Sequence, residues 1–114
     1  MITLNLPYPP SVNNYWIASG RRRFISARGR SFKQRVAEAC GNVASFKDQK
    51  VAVSIVLYPR NKRLMDIDNS CKAILDSLIG FLYDDDSQVW KLTVERGEVI
   101  KDGGCKVTVE LYNP

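Results

Sequence analysis

Val51-Ala52-Val53-Ser54-Ile55-Val56-Leu57-Tyr58 is the stretch that decides the fold of this 114-residue chain. Val51, Val53, Ile55 and Leu57 alternate with Ala52, Ser54, Val56 and Tyr58, the period of two that sends successive side chains to opposite faces of a sheet. Both faces are largely apolar, which predicts a strand inside its sheet rather than at an edge. Pro59, which has no amide hydrogen to offer a ladder, ends it.

Upstream, Phe32, Val36, Ala39, Cys40 and Val43 recur at helical spacing, and Ser26 is placed to cap the helix that carries them. Before it, Tyr15-Trp16-Ile17 and Arg22-Arg23-Phe24-Ile25 flank Ser19-Gly20 as a short hairpin. Pro7, Pro9 and Pro10, followed by Ser11 and two asparagines, predict an extended loop. Ile2 to Leu6 alternates as a first strand.

Downstream, the basic loop Arg60-Asn61-Lys62-Arg63 leads into a second helix, expected from Asp68 or Asn69 to Ile79 and stopped by Gly80. Its buried stripe is Cys71, Ile74, Leu75, Leu78 and Ile79. Trp90, Leu92 and Val94 begin a strand that Val99 and Ile100 extend towards a turn at Lys101-Asp102-Gly103-Gly104. Cys105, Val107, Val109 and Leu111 alternate on the returning strand. The class is α+β: one small domain, with a mixed, largely antiparallel sheet and two main helices packed on it.

Composition narrows the chemistry. The chain contains no histidine, so histidine general bases, Ser-His-Asp and Cys-His nucleophile systems and HExxH metal sites are all excluded. Cys40, Cys71 and Cys105 are odd in number and widely spaced, which fits neither a zinc site nor a disulfide framework. No apolar run approaches the ~20 residues of a membrane span, and Ile2–Leu6 is too short for a signal-peptide core. Cytoplasmic residence, away from membranes, is the expectation. Net charge is +5. Residues 1–37 carry Arg21, Arg22, Arg23, Arg28, Arg30, Lys33 and Arg35 without a single acid, a concentration that suits a polyanion.

Six aspartates nevertheless gather between Asp66 and Asp86. Carboxylates brought close together need a cation or a proton to relieve their repulsion. A bound divalent metal would turn such a knot into a phosphate-binding centre. Mg²⁺ prefers oxygen ligands and takes only a few carboxylates, so Asp66, Asp68 and one residue of Asp84-Asp85-Asp86 would meet its need. An EF-hand loop beginning at Asp66 fails, because Cys71 stands where glycine is required and Ser77 where glutamate is. Asp68, Lys72 and Asp76 are four apart and would share a helix face. Lys72 is either a salt-bridge partner for Asp68 or Asp76, or a cation for the scissile phosphate.

Leu6-Pro7-Tyr8-Pro9-Pro10-Ser11-Val12-Asn13-Asn14-Tyr15, then Asp66-Ile67-Asp68-Asn69, Lys72 and Asp85-Asp86-Ser87-Gln88-Val89 resemble the RusA family of Holliday junction resolvases. The likeness runs over nearly the whole chain, and residues 1–114 would form one RusA-like endonuclease domain. It implies that Asp66, Asp68 and Asp86 are catalytic, metal-binding carboxylates, with Lys72 as essential lysine and Asp85 as a metal neighbour. Gln88-Val89 anchors the motif and selects Asp86. The implied cofactor is Mg²⁺, with Mn²⁺ able to substitute. The implied activity is metal-activated hydrolysis that places paired symmetric nicks in a four-way DNA junction, by a homodimer of phage or prophage origin. Arg21, Arg22, Arg23, Arg28, Arg30, Lys33, Arg35, Lys62 and Arg63 would hold the junction arms through phosphates. The competing reading is a non-catalytic, basic DNA-binding module whose aspartates are caps and a solvated turn.

Overall fold

A computed structural model describes residues 1–114. In chain order the elements are β1 (Ile2–Leu6), α1 (Val12–Tyr15), β2 (Trp16–Ser19), β3 (Arg22–Ile25), α2 (Ala27–Cys40), β4 (Val51–Tyr58), α3 (Cys71–Leu78), a 3-10 turn (Asp86–Gln88), β5 (Val89–Arg96) and β6 (Gly104–Leu111). Four strands form one sheet in the order β1-β6-β4-β5, and β2 pairs with β3 as a separate hairpin. Within the sheet, β6 runs antiparallel to both β1 and β4, while β5 lies parallel to β4. The class is α+β, as the sequence predicts.

The internal place of β4 follows from its pattern. Val51, Val53, Ile55 and Leu57 are fully enclosed beneath the helices, joined by Leu4, Leu6, Val107 and Val109 from the neighbouring strands. Phe32, Val36 and Cys40 of α2 and Ala73, Ile74 and Leu78 of α3 close the core from above. The opposite face of β4 is mixed: Ala52 is buried, Val56 and Tyr58 are half-buried, and Ser54 is exposed.

Ser26 caps α2 as expected, its hydroxyl accepting from the Gly29 amide at 3.0 Å and donating to the Asn14 carbonyl. Gly29 has a packing reason: a Cβ there would stand 2.6 Å from the Tyr15 carbonyl oxygen and 2.8 Å from Ile25 Cγ2. The helix crosses the root of the hairpin at that point.

Several expectations are corrected. The segment after the prolines is not wholly extended, because the Ser11 carbonyl accepts from the Asn14 and Tyr15 amides and winds α1. Ala39 is exposed because α2 buries the face of Gly29, Phe32, Val36 and Cys40, and Val43 because the helix ends at Cys40 against Gly41. Val99 and Ile100 do not continue β5. The Gly97 amide donates to the Leu57 carbonyl at 2.7 Å and turns the chain across Tyr58. The strand after the turn does not pair back on β5 but inserts between β1 and β4. The second helix starts at Cys71, two or three residues later than predicted.

Candidate active site

Residues 66–70 form two successive turns ahead of α3, with the Asn69 amide donating to the Asp66 carbonyl and the Cys71 amide to the Asp68 carbonyl. The loop is pinned from three sides. Arg96 at the end of β5 donates to the Met65 carbonyl at 2.6 Å, the Tyr8 hydroxyl contacts Met65 Sδ at 2.8 Å, and the Val12 amide donates to the Asn69 carbonyl at 2.9 Å. Asp66 and Asp68 themselves are exposed. A rigid backbone thus presents two free carboxylates to solvent.

The second acidic segment is organised by Gln88. Its Oε1 accepts from the Asp84 and Asp85 amides at 2.9 and 2.8 Å, and its Nε2 donates to the Lys47 and Gln49 carbonyls. All its amide hydrogen-bonding capacity goes into fixing the turn to the loop before β4. Asp85 caps the turn through the Ser87 amide at 3.1 Å, and hydrogen bonding first from the Ser87 hydroxyl and then from its amide holds the Asp85 carboxyl below the usual aspartate range. Asp86, next in sequence, is left facing α3.

There it meets Lys72. The ammonium lies 2.6 Å from Asp86 Oδ2 and 2.9 Å from Asp76 Oδ1. Hydrogen bonds first to Asp86 and then to Asp76 push the lysine above its ordinary pKa. Tyr83 is enclosed beside them, its hydroxyl donating to the Leu75 carbonyl at 2.6 Å. Burial, and then the charges of Asp86, Asp76 and Asp85, push that phenol up as well. Lys72 supplies the positive charge that carboxylates in proximity demand.

Asp68 takes no part in this triad. It sits in a turn before the helix rather than on its face, so Lys72 pairs with Asp76 one turn ahead, not with Asp68 behind. Asp66 and Asp68 lie in the turns ahead of α3, whereas Asp86 lies in the turn before β5 and meets the helix through Lys72. No three carboxylates or thiolates converge closely enough to hold a metal ion. Asp76, one of the two salt-bridge partners that the spacing offers Lys72, is one of the two that fix it.

The basic residues divide in the same way. Arg21, Arg22 and Arg23 are exposed around the tip of the β2–β3 hairpin, with Arg23 stacked 4.4 Å from the centre of the Trp16 ring. Arg30 is engaged by the Ile25 carbonyl at 2.9 Å, and Lys33 is half-buried. Arg28 and Arg35 line a groove of about 670 Å³ together with Arg60 and Arg63. Lys62 is exposed on the same loop but outside the groove lining. A second groove shares Tyr8, Pro9, Ser11, Leu64 and Met65 with the first and ends at Asp66, Asn69 and Ser70. Arg60, Tyr8, Arg96 and Gln88 escaped the sequence reading as organising residues. Only the family motif hinted at Gln88.

The chain matches the family model of endodeoxyribonuclease RusA over residues 7–112, from the proline loop through the last strand. It belongs to the RusA endodeoxyribonuclease family. The crossover junction endodeoxyribonuclease RusA of Enterobacteria phage HK97 is 34% identical over 109 residues, covering 90% of each chain. The Escherichia coli K12 protein of the same name is 32% identical over 111 residues, covering 94% of this chain and 92% of its own. That of Enterobacteria phage 82 is 33% identical over 110 residues, covering 93% and 91% respectively.

The exposed and half-buried acids around α3 offer carboxylate oxygens, the ligands a hard divalent cation prefers, beside one half-buried thiol, Cys71, and the chain has no histidine. Its arrangement is open. Asp66 and Asp68 are exposed at one end, and Asp86 is engaged by Lys72.

Proposed function

We propose that this chain is a divalent-cation-dependent crossover junction endodeoxyribonuclease, a Holliday junction resolvase acting as a homodimer on four-way DNA, with residues 1–114 as one endonuclease domain. The observation that carries this reading is Lys72 bridging Asp76 and Asp86 at the start of α3, just after the exposed Asp66–Asp68 loop, with Asp66 at the end of a groove that adjoins the arginine-lined one. Membership of a family whose relatives are named for crossover junction cleavage supports the substrate. A two-fold dimer suits a two-fold substrate, one acidic centre serving each cut strand. The cytoplasm is the compartment where such DNA is met, in keeping with relatives from phages and Escherichia coli.

Asp66, Asp68 and Asp86 would hold Mg²⁺, with Mn²⁺ able to substitute. When bound, the ion supplies a low-pKa water and stabilises charge on the phosphoryl oxygens. Lys72 stays protonated between its two carboxylates and would present its charge to the phosphoryl oxygens, where negative charge gathers in the transition state. Arg28, Arg35 and Arg63, with the hairpin arginines and Lys62, hold the backbone through phosphates and read little sequence.

The test is Asp68→Asn on a synthetic four-way junction in Mg²⁺. Retained junction binding with lost nicking is expected, and full Mg²⁺-dependent nicking by the variant would sink the assignment. Salt-sensitive binding by the unaltered chain without any nicking would point to a binding module instead.

A further inference from the structure

The arginine groove has properties that contact with duplex arms does not require. Its guanidiniums come from two walls: Arg28 and Arg35 from α2, seven residues apart and so on one helix face, and Arg60 and Arg63 from the loop after β4. Against these four charges stands a single carboxylate, Asp102. Where the groove joins its neighbour lies the ring of Tyr8, tethered by its hydroxyl to Met65 Sδ. Leu64, 95% exposed, stands at the same junction.

An isolated exposed leucine is unremarkable. A fixed aromatic ring and an exposed leucine between paired guanidiniums are the parts from which proteins build sites for unpaired strands: charge for the backbone and an apolar surface for bases. A volume of about 670 Å³ is that of a small-ligand site, of a size to take a nucleotide or two. The neighbouring groove continues from Tyr8 to Asp66, so a strand laid along both would pass from the arginines to the acidic loop.

We propose that this groove receives one or two unpaired deoxynucleotides of the strand to be cut. Their phosphates lie on Arg28, Arg35, Arg60 and Arg63, one base stacks on Tyr8, and Leu64 packs against that base. The proposal rests on the nuclease reading for the identity of the strand, and Arg60 and Tyr8 become binding residues. A base held outside the helix leaves the neighbouring phosphate on an unstacked backbone, which can follow the concave path to Asp66.

The test needs neither a junction nor a metal. The anisotropy of a labelled ten-residue thymidine oligonucleotide is followed with EDTA present, against the same strand carrying abasic sites at its centre. The intact strand is expected to bind about tenfold more tightly. Tyr8→Ala should erase most of that difference, while Tyr8→Phe keeps it. Arg60→Ala should weaken binding of both strands more than Lys106→Ala, which removes the same charge from the sheet face away from the helices. Equal affinity for intact and abasic strands, or equal losses in Arg60→Ala and Lys106→Ala, would overturn the proposal. A chain that nicks junctions yet ignores the missing bases fails this proposal alone. One that shows the base dependence but never nicks fails only the nuclease reading.

Discussion

Lys72 Nζ and Asp86 Oδ2 lie 2.6 Å apart, joining the start of α3 to the turn that precedes β5. The pair is half-open to solvent, with the lysine side chain 48% exposed, so its contribution to stability is small, at most ~1 kcal/mol. Its weight falls on function. Lys72→Met should leave the melting temperature within about 5 °C of the parent and junction binding within a few-fold. Nicking should fall by roughly 100-fold or more, the scale on which loss of a transition-state donor is felt. Single-turnover cleavage beside a gel-shift titration separates the two effects.

The adjacent aspartates should part company. Asp86→Asn removes the Lys72 partner and a proposed metal ligand, and should abolish nicking while leaving binding intact. Asp85→Asn alters only a cap, because the Asp85 carboxylate is turned to the Ser87 amide. It should keep most of its cleavage rate and show its effect in thermal stability at neutral pH. Equal loss of nicking in both variants would contradict the division of roles drawn from the turn.

Gln88→Ala removes four hydrogen bonds from one turn, two to amides and two to carbonyls. Some of the freed groups will find water, leaving an expected loss of about 2 kcal/mol, or roughly 10 °C in melting temperature for a domain of this size. Calorimetry measures it. Because the turn aims Asp86, nicking should fall even at temperatures where the variant is fully folded.

Gly29→Ala tests the crossing of α2 over the hairpin. Alanine is the better helix former by about 1 kcal/mol, yet the added methyl group meets the Tyr15 carbonyl at 2.6 Å. Overpacking against backbone should win, with a net destabilisation of ~1–3 kcal/mol. A lower urea midpoint with unchanged slope is the expected result.

The pH dependence has a definite sign at Lys72. Its folded pKa is raised above the ordinary 10.5 by Asp86 and Asp76. The stability it contributes is therefore fully present below about pH 10.5 and is lost as pH rises through the folded value. Across pH 7–10 Lys72 keeps its charge. Comparing alkaline unfolding of the parent with Lys72→Met should show a difference only above that range, and small because the site is solvated.

Much of this was legible in residue order because the signals were local. The alternation from Val51 to Tyr58 fixes an internal strand, and Ser26 with Phe32, Val36 and Cys40 fixes a capped helix. The carboxylate motifs and Lys72 could be singled out as a candidate site from spacing and family likeness. What was hidden is set by contacts between distant segments. The order of β6 between β1 and β4 depends on pairing across the sheet, which no local pattern encodes. Asp68 and Lys72 looked like an i, i+4 pair only while the helix was assumed to begin early. The start at Cys71 moves Asp68 off the face and hands Lys72 to Asp76 and Asp86. Gln88 reads as one more polar residue until the loop of Lys47 and Gln49 is seen beside it. Arg60 and Tyr8 share a groove only because β1 and β4 bring their following loops to the same end of the sheet.

The insertion of β6 between β1 and β4 also governs when the protein can become itself. β1 leaves the ribosome first, yet its only strand partner is the last strand made. Until residues 104–111 emerge, β1 has nothing to pair with and β4 shows a bare edge. Such long-range closure is slow and leaves an aggregation-prone interval. A translating ribosome therefore holds the β2–β3 hairpin, α2 and the β4–α3–β5 unit in a position to form, but not the complete sheet. The assembled sheet that brings Tyr8 and Arg60 to one groove appears after synthesis of the last strand, so a half-made chain carries the acidic residues without the complete groove that adjoins them.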